Sequence, residues 1–200
     1  MKTRPANRTN RGFTLVELLV VISIIVVLAA MSFGAANMAI NKAKKLQSSN
    51  DANGLKTAIE NYYQEYSKMP DFGMSGDEGQ TDGQTGSELL TILLGKEEVS
   101  DSMQNKKQIV FLNAKVNKNK NKGGLVYSNG GNGATPEGLY DAWGNPFHIK
   151  IDDDYDGEIT DPLEQGNIVR NKQVIVYSYG PDGAKGAKGK TGVGDDIKTW

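Results

Sequence analysis

The chain has 200 residues, 38% of them hydrophobic and 24% charged, with 24 Gly, 6 Pro and a formal net charge of −1 at pH 7. It has no cysteine and one histidine, His148, which excludes disulfides, thiolate metal sites, cysteine nucleophiles and any centre built from several histidines. The near-neutral balance gives no global reason to expect nucleic acid as a partner. The length suits one ordinary domain, or a smaller domain with an appendage. The glycine count predicts a distal part rich in turns and loops.

Residues 1–12 carry Lys2, Arg4, Arg8 and Arg11 and no acid. They read as a basic leader peptide, the kind of flank that keeps an N-terminus on the cytoplasmic side of a membrane. Residues 13–36 then read as a single apolar helix. Residues 13–33 alone would span roughly 30 Å, the thickness of the hydrocarbon layer. They are apolar around the whole circumference, which predicts a membrane-spanning segment. Residues 18–41 contain no charge, yet Glu17 sits four residues after Phe13. An ionised carboxylate in hydrocarbon is costly unless paired, so Glu17 reads as functional. A cleaved secretory signal, with Ala29-Ala30-Met31 as a loose cleavage site, and a plain signal anchor are the ordinary alternatives. Neither explains the acid.

The string Arg11-Gly12-Phe13-Thr14-Leu15-Val16-Glu17-Leu18-Leu19-Val20-Val21-Ile22 resembles the class III signal of type IV pilins and type II secretion pseudopilins. The resemblance implies cleavage by prepilin peptidase after Gly12, where the missing Cβ lets the scissile backbone be approached closely. It implies methylation of the new amine on Phe13. It also implies a filament in which Glu17 of one subunit pairs with the Phe13 amine of its neighbour, a charge pair far stronger in low dielectric than in water. Many relatives have a proline where this chain has Gly34, a residue that can act as a weak point for local unwinding.

Residues 37–70 predict an amphipathic helix. Ala43, Leu46, Leu55, Ala58, Ile59, Tyr62, Tyr63 and Tyr66 fall mostly at three- and four-residue spacings, with lysines and glutamates opposite. Asn53-Gly54 weakens its middle and Pro70 ends it. The tyrosines read as packing. Residues 71–138 form a loop-rich variable region in which 71–86 is a loop. Residues 87–94 predict a short helix with Ser87 as N-cap and Gly95 just past its end. Residues 115–122 alternate Lys with Asn. They could be a basic contact patch, and a solvated loop is the simpler reading. Strands are expected at 124–127, 146–151 and 173–178. The alternation in Phe147-His148-Ile149-Lys150-Ile151 places His148 on the polar face as an ordinary surface residue. The expected fold class is α+β: a long N-terminal α-helix, membrane-spanning in its first half, packed on a small antiparallel β-sheet head with long loops.

Residues 139–200 carry a second resemblance. Asp141-Ala142-Trp143-Gly144-Asn145-Pro146-Phe147, Tyr177-Ser178-Tyr179-Gly180-Pro181-Asp182-Gly183 and Asp195-Asp196-Ile197 before Trp200 are similar to the head of the major pseudopilin of type II secretion. Ala142 stands where that pattern has proline. The resemblance implies one structural calcium, an ion suited to hard oxygen donors. Side-chain oxygens would come from Asp182, Asp195 and Asp196 and a backbone carbonyl from Tyr179, with Ala184 and Val193 as further carbonyl donors. The loop between Asp182 and Asp195 is about twice the usual length, which closure entropy tolerates.

Asp152-Asp153-Asp154-Tyr155-Asp156-Gly157-Glu158-Ile159 fits the first eight places of an EF-hand loop, but Leu163 stands where the bidentate Glu belongs. An acidic hairpin turn is the better reading. Gly189-Lys190-Thr191 resembles the end of a phosphate loop but lacks the glycine five places earlier, so nucleotide binding is not expected.

The resemblance as a whole implies a structural subunit and not an enzyme. It would be a single-pass protein of the bacterial inner membrane with its head in the periplasm, a homo-oligomeric filament that drives protein export. Its partners would be other pseudopilins, the inner-membrane assembly platform and prepilin peptidase, with no nucleic acid. A type IV pilin, a minor pseudopilin and a non-polymerising membrane-anchored calcium-binding protein are the alternatives.

Overall fold

A computed structural model describes residues 12–74, 77–128, 135–186 and 194–200, and the side chains of 31–35 lie outside that description. The leader apart from Gly12, the Gly189-Lys190-Thr191 string and Val193 therefore fall outside the described residues. The chain divides into two compact units, Met1–Lys42 and Ala43–Trp200.

Helix α1, Leu15–Tyr66, is a single element of 52 residues that runs through Gly34 and Gly54 without interruption. Its backbone pairs internally, so neither glycine's lower propensity breaks it. Segments 13–36 and 37–70 thus belong to one long helix, as expected, with its end at Tyr66. It stops four residues before Pro70, where Ser67 turns left-handed at φ 54° and its amide closes on the Tyr63 carbonyl at 2.7 Å. In the first unit every described residue from 12 to 30 is exposed, including Leu15, Ile22 and Leu28. Among the described residues no helix is long and apolar enough to cross a membrane. The described apolar stretch, 15–30, makes about 24 Å of helix.

In the second unit α1 buries Ser48, Ala52, Leu55, Ala58, Ile59 and Tyr62, the stripe that three- and four-residue spacing produces. Leu46, expected on that stripe, is 58% exposed, and Ser48 and Ala52 take its place. Tyr62 packs edge-on against Phe111, and the Tyr66 hydroxyl donates to Asn105 Oδ1 at 2.8 Å, so these tyrosines are packing residues.

The main sheet has four antiparallel strands: β1 (Glu78–Gln80), β4 (His148–Ile151), β7 (Val174–Ser178) and β8 (Ile197–Lys198), in the order β1-β4-β7-β8. Two ribbons accompany it, β2 (Gly124–Tyr127) with β3 (Pro136–Tyr140), and β5 (Glu158–Thr160) with β6 (Ile168–Arg170). The α+β class is as expected. Phe147, Ile149, Ile151, Val174 and Val176 join the α1 stripe and Leu89, Leu90 and Leu93 in one core. Helix α2 spans Gly83–Leu93 and not 87–94. Its N-cap is Asp82, Ser87 lies inside it, and Gly95 follows its end at φ 62° as expected. Residues 71–86, read as a loop, also contain β1, whose Glu-Gly-Gln composition has no strand signal of its own.

His148 corrects the sequence reading. Alternation does place it opposite Phe147 and Ile149, but that face is not solvent. His148 is 6% exposed, registers with Tyr177 across β4 and β7, and stacks on that ring at 4.8 Å with a 15° tilt. Tyr179 closes over it at 4.5 Å. Burial holds the imidazole below its ordinary value, with the Glu78 carboxylate opposing.

Candidate functional site

The N-terminal site begins at Thr14, the residue before α1. Glu17 Oε2 accepts from the Thr14 amide at 2.9 Å and from the Thr14 hydroxyl at 2.7 Å, while Thr14 Oγ1 accepts from the Glu17 amide at 3.2 Å. This is a capping box: a threonine N-cap and a glutamate three positions on satisfy each other's orphan donors. The carboxylate also meets the positive end of the helix dipole. The Thr-x-x-Glu spacing announces this in the sequence, and reading Glu17 only as an intramembrane acid overlooks it. Glu17 is thereby held over the first peptide after Phe13, the residue whose nitrogen would be freed by cleavage. Phe13 itself is 77% exposed. Further along, the Ser23 hydroxyl returns to the Val20 carbonyl at 2.8 Å, which leaves the described run from Leu18 to Ala30 without a free side-chain donor. An exposed apolar surface of this extent is stable only against lipid or other helices.

The C-terminal site is built on Asp141, which is fully buried. Its Oδ1 accepts the amides of Trp143, Gly144 and Asn145 at 2.9, 2.8 and 2.9 Å. Its Oδ2 accepts the Ser178 hydroxyl at 2.5 Å. Asn145 Nδ2 then donates to the Gly180 carbonyl at 2.6 Å. The Asp-Ala-Trp-Gly-Asn turn is thus tied to the loop that follows β7, two motifs the sequence shows only as separate strings. Gly180, at φ 68°, lies so close to the Asp195 carbonyl that a Cβ would clash with backbone. That approach brings the chain from 194 onward against the turn Gly180–Asp182.

Of the four residues expected to share an ion, Asp196 is buried at 5% exposure, Asp195 is half-buried, and Asp182 is exposed with its Oδ1 accepting the Ala184 amide at 2.9 Å. Among the described residues Asp195 Oδ1 and Asp196 Oδ1 are buried without a hydrogen-bond partner. Asp196 Oδ2 accepts the Gly186 amide at 3.1 Å. Burial pushes the Asp196 carboxyl above its ordinary range. The Gly186 amide opposes that, and the charges of Asp195 and Asp182 add to it. Buried anionic oxygens facing like charge are what a hard cation relieves. The donors are all oxygen, as such an ion requires, but among the described residues Asp182, Asp195 and Asp196 do not bring one oxygen each within 4.8 Å of one another.

A tighter acidic group lies elsewhere. Asp152, Asp154 and Asp156 bring one oxygen each within 4.8 Å of one another. Asp152 accepts the Asp156 and Gly157 amides at 3.2 and 3.0 Å, so these carboxylates shape their own turn. That turn joins β4 to β5, strands of different sheets, and is therefore not the hairpin turn expected from the sequence.

Residues 7–33 match the prokaryotic N-terminal methylation motif. This is a type IV pilin-like signal, and the match spans Gly12, Phe13, the capping box and the apolar run. It does not extend into the second unit. Neither the curated proteins nor the solved structures give any match to the chain.

Proposed function

We propose that this chain is a structural subunit of a type IV pilin-like filament. It is anchored in the bacterial inner membrane by α1 with its head in the periplasm, cut after Gly12 by prepilin peptidase and methylated on Phe13. The observation that carries the reading is the methylation motif over 7–33, whose apolar helix contains the single acid Glu17. Helices with an exposed apolar surface assemble laterally or insert into lipid, and an acid held beside the new terminus supplies a charge partner for it. The subunit performs no catalysis.

The finer assignment is the major pseudopilin of a type II secretion pseudopilus, a filament that drives protein export with other pseudopilins and an inner-membrane assembly platform. It is supported by the C-terminal strings, whose Asp141, Asn145, Ser178 and Gly180 form one hydrogen-bonded junction. Calcium belongs to the same reading. Asp182, Asp195 and Asp196 would hold it with the Tyr179 carbonyl, and it would neutralise the buried carboxylates and pin the loop, a task disulfides cannot perform in a cysteine-free chain.

Intact-mass measurement with N-terminal sequencing of protein purified from its native membranes tests the proposal. A mature chain beginning at methylated Phe13 is expected. A chain beginning at Met1, or near Ser32 as a secretory signal would leave it, contradicts it.

A further inference from the structure

The lysines that read as a solvated loop are folded into one surface at the start of the second unit. Lys44 and Lys45 lie in its first turn of α1. The segment 118–122 is brought there by Gln47, whose Nε2 donates to the Lys122 carbonyl at 3.4 Å, and by Gly144, which packs on Asn121. Asn119 caps a 3₁₀ turn at Lys120–Lys122 by accepting the Asn121 amide at 2.9 Å, so the lysines alternate on an ordered turn. Lys44 Nζ sits 5.9 Å from the Trp143 ring and Lys120 Nζ 6.0 Å from the Tyr140 ring. Lys45, Lys118, Lys120 and Lys122 are exposed. No carboxylate forms an ion pair with any of these five among the described residues. The sequence around them is free of acids from 18 to 50 and from 102 to 136.

We propose that this patch of Lys44, Lys45, Lys118, Lys120 and Lys122 around Trp143 docks on an anionic phospholipid surface, holding the unassembled head against the membrane that anchors it. The inference rests on the membrane-anchored reading above. Charge complementarity and chain connectivity choose the occupant. Lys44 and Lys45, with Lys42, are the first charges after the uncharged run 18–41, so two of the patch lysines follow the apolar segment directly in sequence. Tethering raises the effective concentration of the surface to a level a weak site can use. Lysine is a hydrated point charge suited to a diffuse field of headgroups, and an indole beside cations is the side-chain chemistry of membrane interfaces. Each lysine near such a surface adds a factor of about five in occupancy.

The test is lysine acetylation footprinting of the full chain in neutral bilayers and in bilayers containing phosphatidylglycerol, read by mass spectrometry. Slower modification of the five patch lysines, by severalfold, is expected in the anionic bilayers only. Lys68 and Lys106, exposed and outside the patch, should be unchanged. High salt should remove the protection. In the Lys118→Gln/Lys120→Gln/Lys122→Gln variant, Lys44 and Lys45 should lose it, whereas a Lys68→Gln/Lys106→Gln variant should keep it. Equal rates in both bilayers would overturn the inference while leaving the anchor intact. Filament assembly lost in the triple variant, with rates independent of lipid, would overturn it in favour of subunit contact. Failure of the chain to float with neutral vesicles after a carbonate wash would overturn the anchor reading and this inference together.

Discussion

The amide of Ala142 donates to the hydroxyl of Ser48 at 2.9 Å, tying the turn after β3 to α1 across 94 positions of sequence. Proline, the residue of the pseudopilin pattern at this place, has no amide to give. Gly144 N returns to the Asp141 carbonyl at 3.1 Å, which makes Ala142 the second residue of a β-turn, where proline is otherwise favoured. The departure from the pattern and the buried serine therefore explain each other.

A double-mutant cycle measures that relationship. Ser48→Ala should cost about 1 kcal/mol in the native chain, the usual net value of a buried hydrogen bond. Ala142→Pro alone should be neutral or destabilising, because it leaves a buried hydroxyl unpaired. In the Ser48→Ala background the same proline should stabilise by about 0.5–1 kcal/mol through the unfolded chain. Urea midpoints of the four proteins check it, and simple additivity would refute the coupling.

His148 predicts a pH dependence. Burial lowers its folded pKa below the ordinary 6.5, so the unfolded chain takes up the proton first. Its contribution to stability is therefore complete above about pH 6.5 and is lost as pH falls from there through the folded value. His148→Phe, which keeps a ring against Tyr177, should flatten that acid limb. Denaturant melts of the full chain in detergent between pH 8 and pH 5 give the comparison.

Calcium should raise the melting temperature of the detergent-solubilised chain. An ion at about a hundred times its Kd adds about 2.7 kcal/mol, which for a domain of this size is roughly 5–10 °C. Chelator should reverse the shift and Asp196→Asn should abolish it, whereas Asp154→Asn should leave it in place. Identical melting with and without chelator would remove the ion from the proposal.

The capping box predicts that Thr14 and Glu17 separate in their effects. Thr14→Val removes the hydroxyl bonds and should cost about 1 kcal/mol of helix start, with filament formation retained. Glu17→Gln keeps the shape but discards the charge, and sedimentable filaments should disappear. Equal behaviour of the two variants would reduce Glu17 to a helix cap.

The parts of the fold carried by apolar periodicity were legible in the chain. Gly124–Tyr127 is a strand as read from its residues, β4 lies where alternation puts it, β7 lies within the apolar run read as a strand, and the α1 stripe follows its spacing. The elements that escaped are short: Glu78–Gln80, Pro136–Tyr140, Glu158–Thr160, Ile168–Arg170 and Ile197–Lys198. Glu78–Gln80 and Ile197–Lys198 are strands because β4 and β7 present otherwise unpaired backbone edges to them, which is a tertiary cause with no local trace. His148 was misread for a related reason: alternation reports which face a residue takes, not what covers that face, and here Tyr177 and Tyr179 do. At the sites, the acids around 182–196 were visible as letters. The Asp141–Ser178 and Asn145–Gly180 bonds that hold their loop join residues more than thirty positions apart.

The pairing of Glu17 with the Phe13 amine across subunits can be measured directly. Filaments grown from a mixture of isotopically light and heavy subunits are treated with a carbodiimide, which joins a carboxylate only to an amine in contact with it, and the linked peptides are weighed. Peptides joining Phe13 of one isotope to Glu17 of the other are expected. Links confined to a single isotope, or none at all while filaments are present, would contradict the proposed pairing.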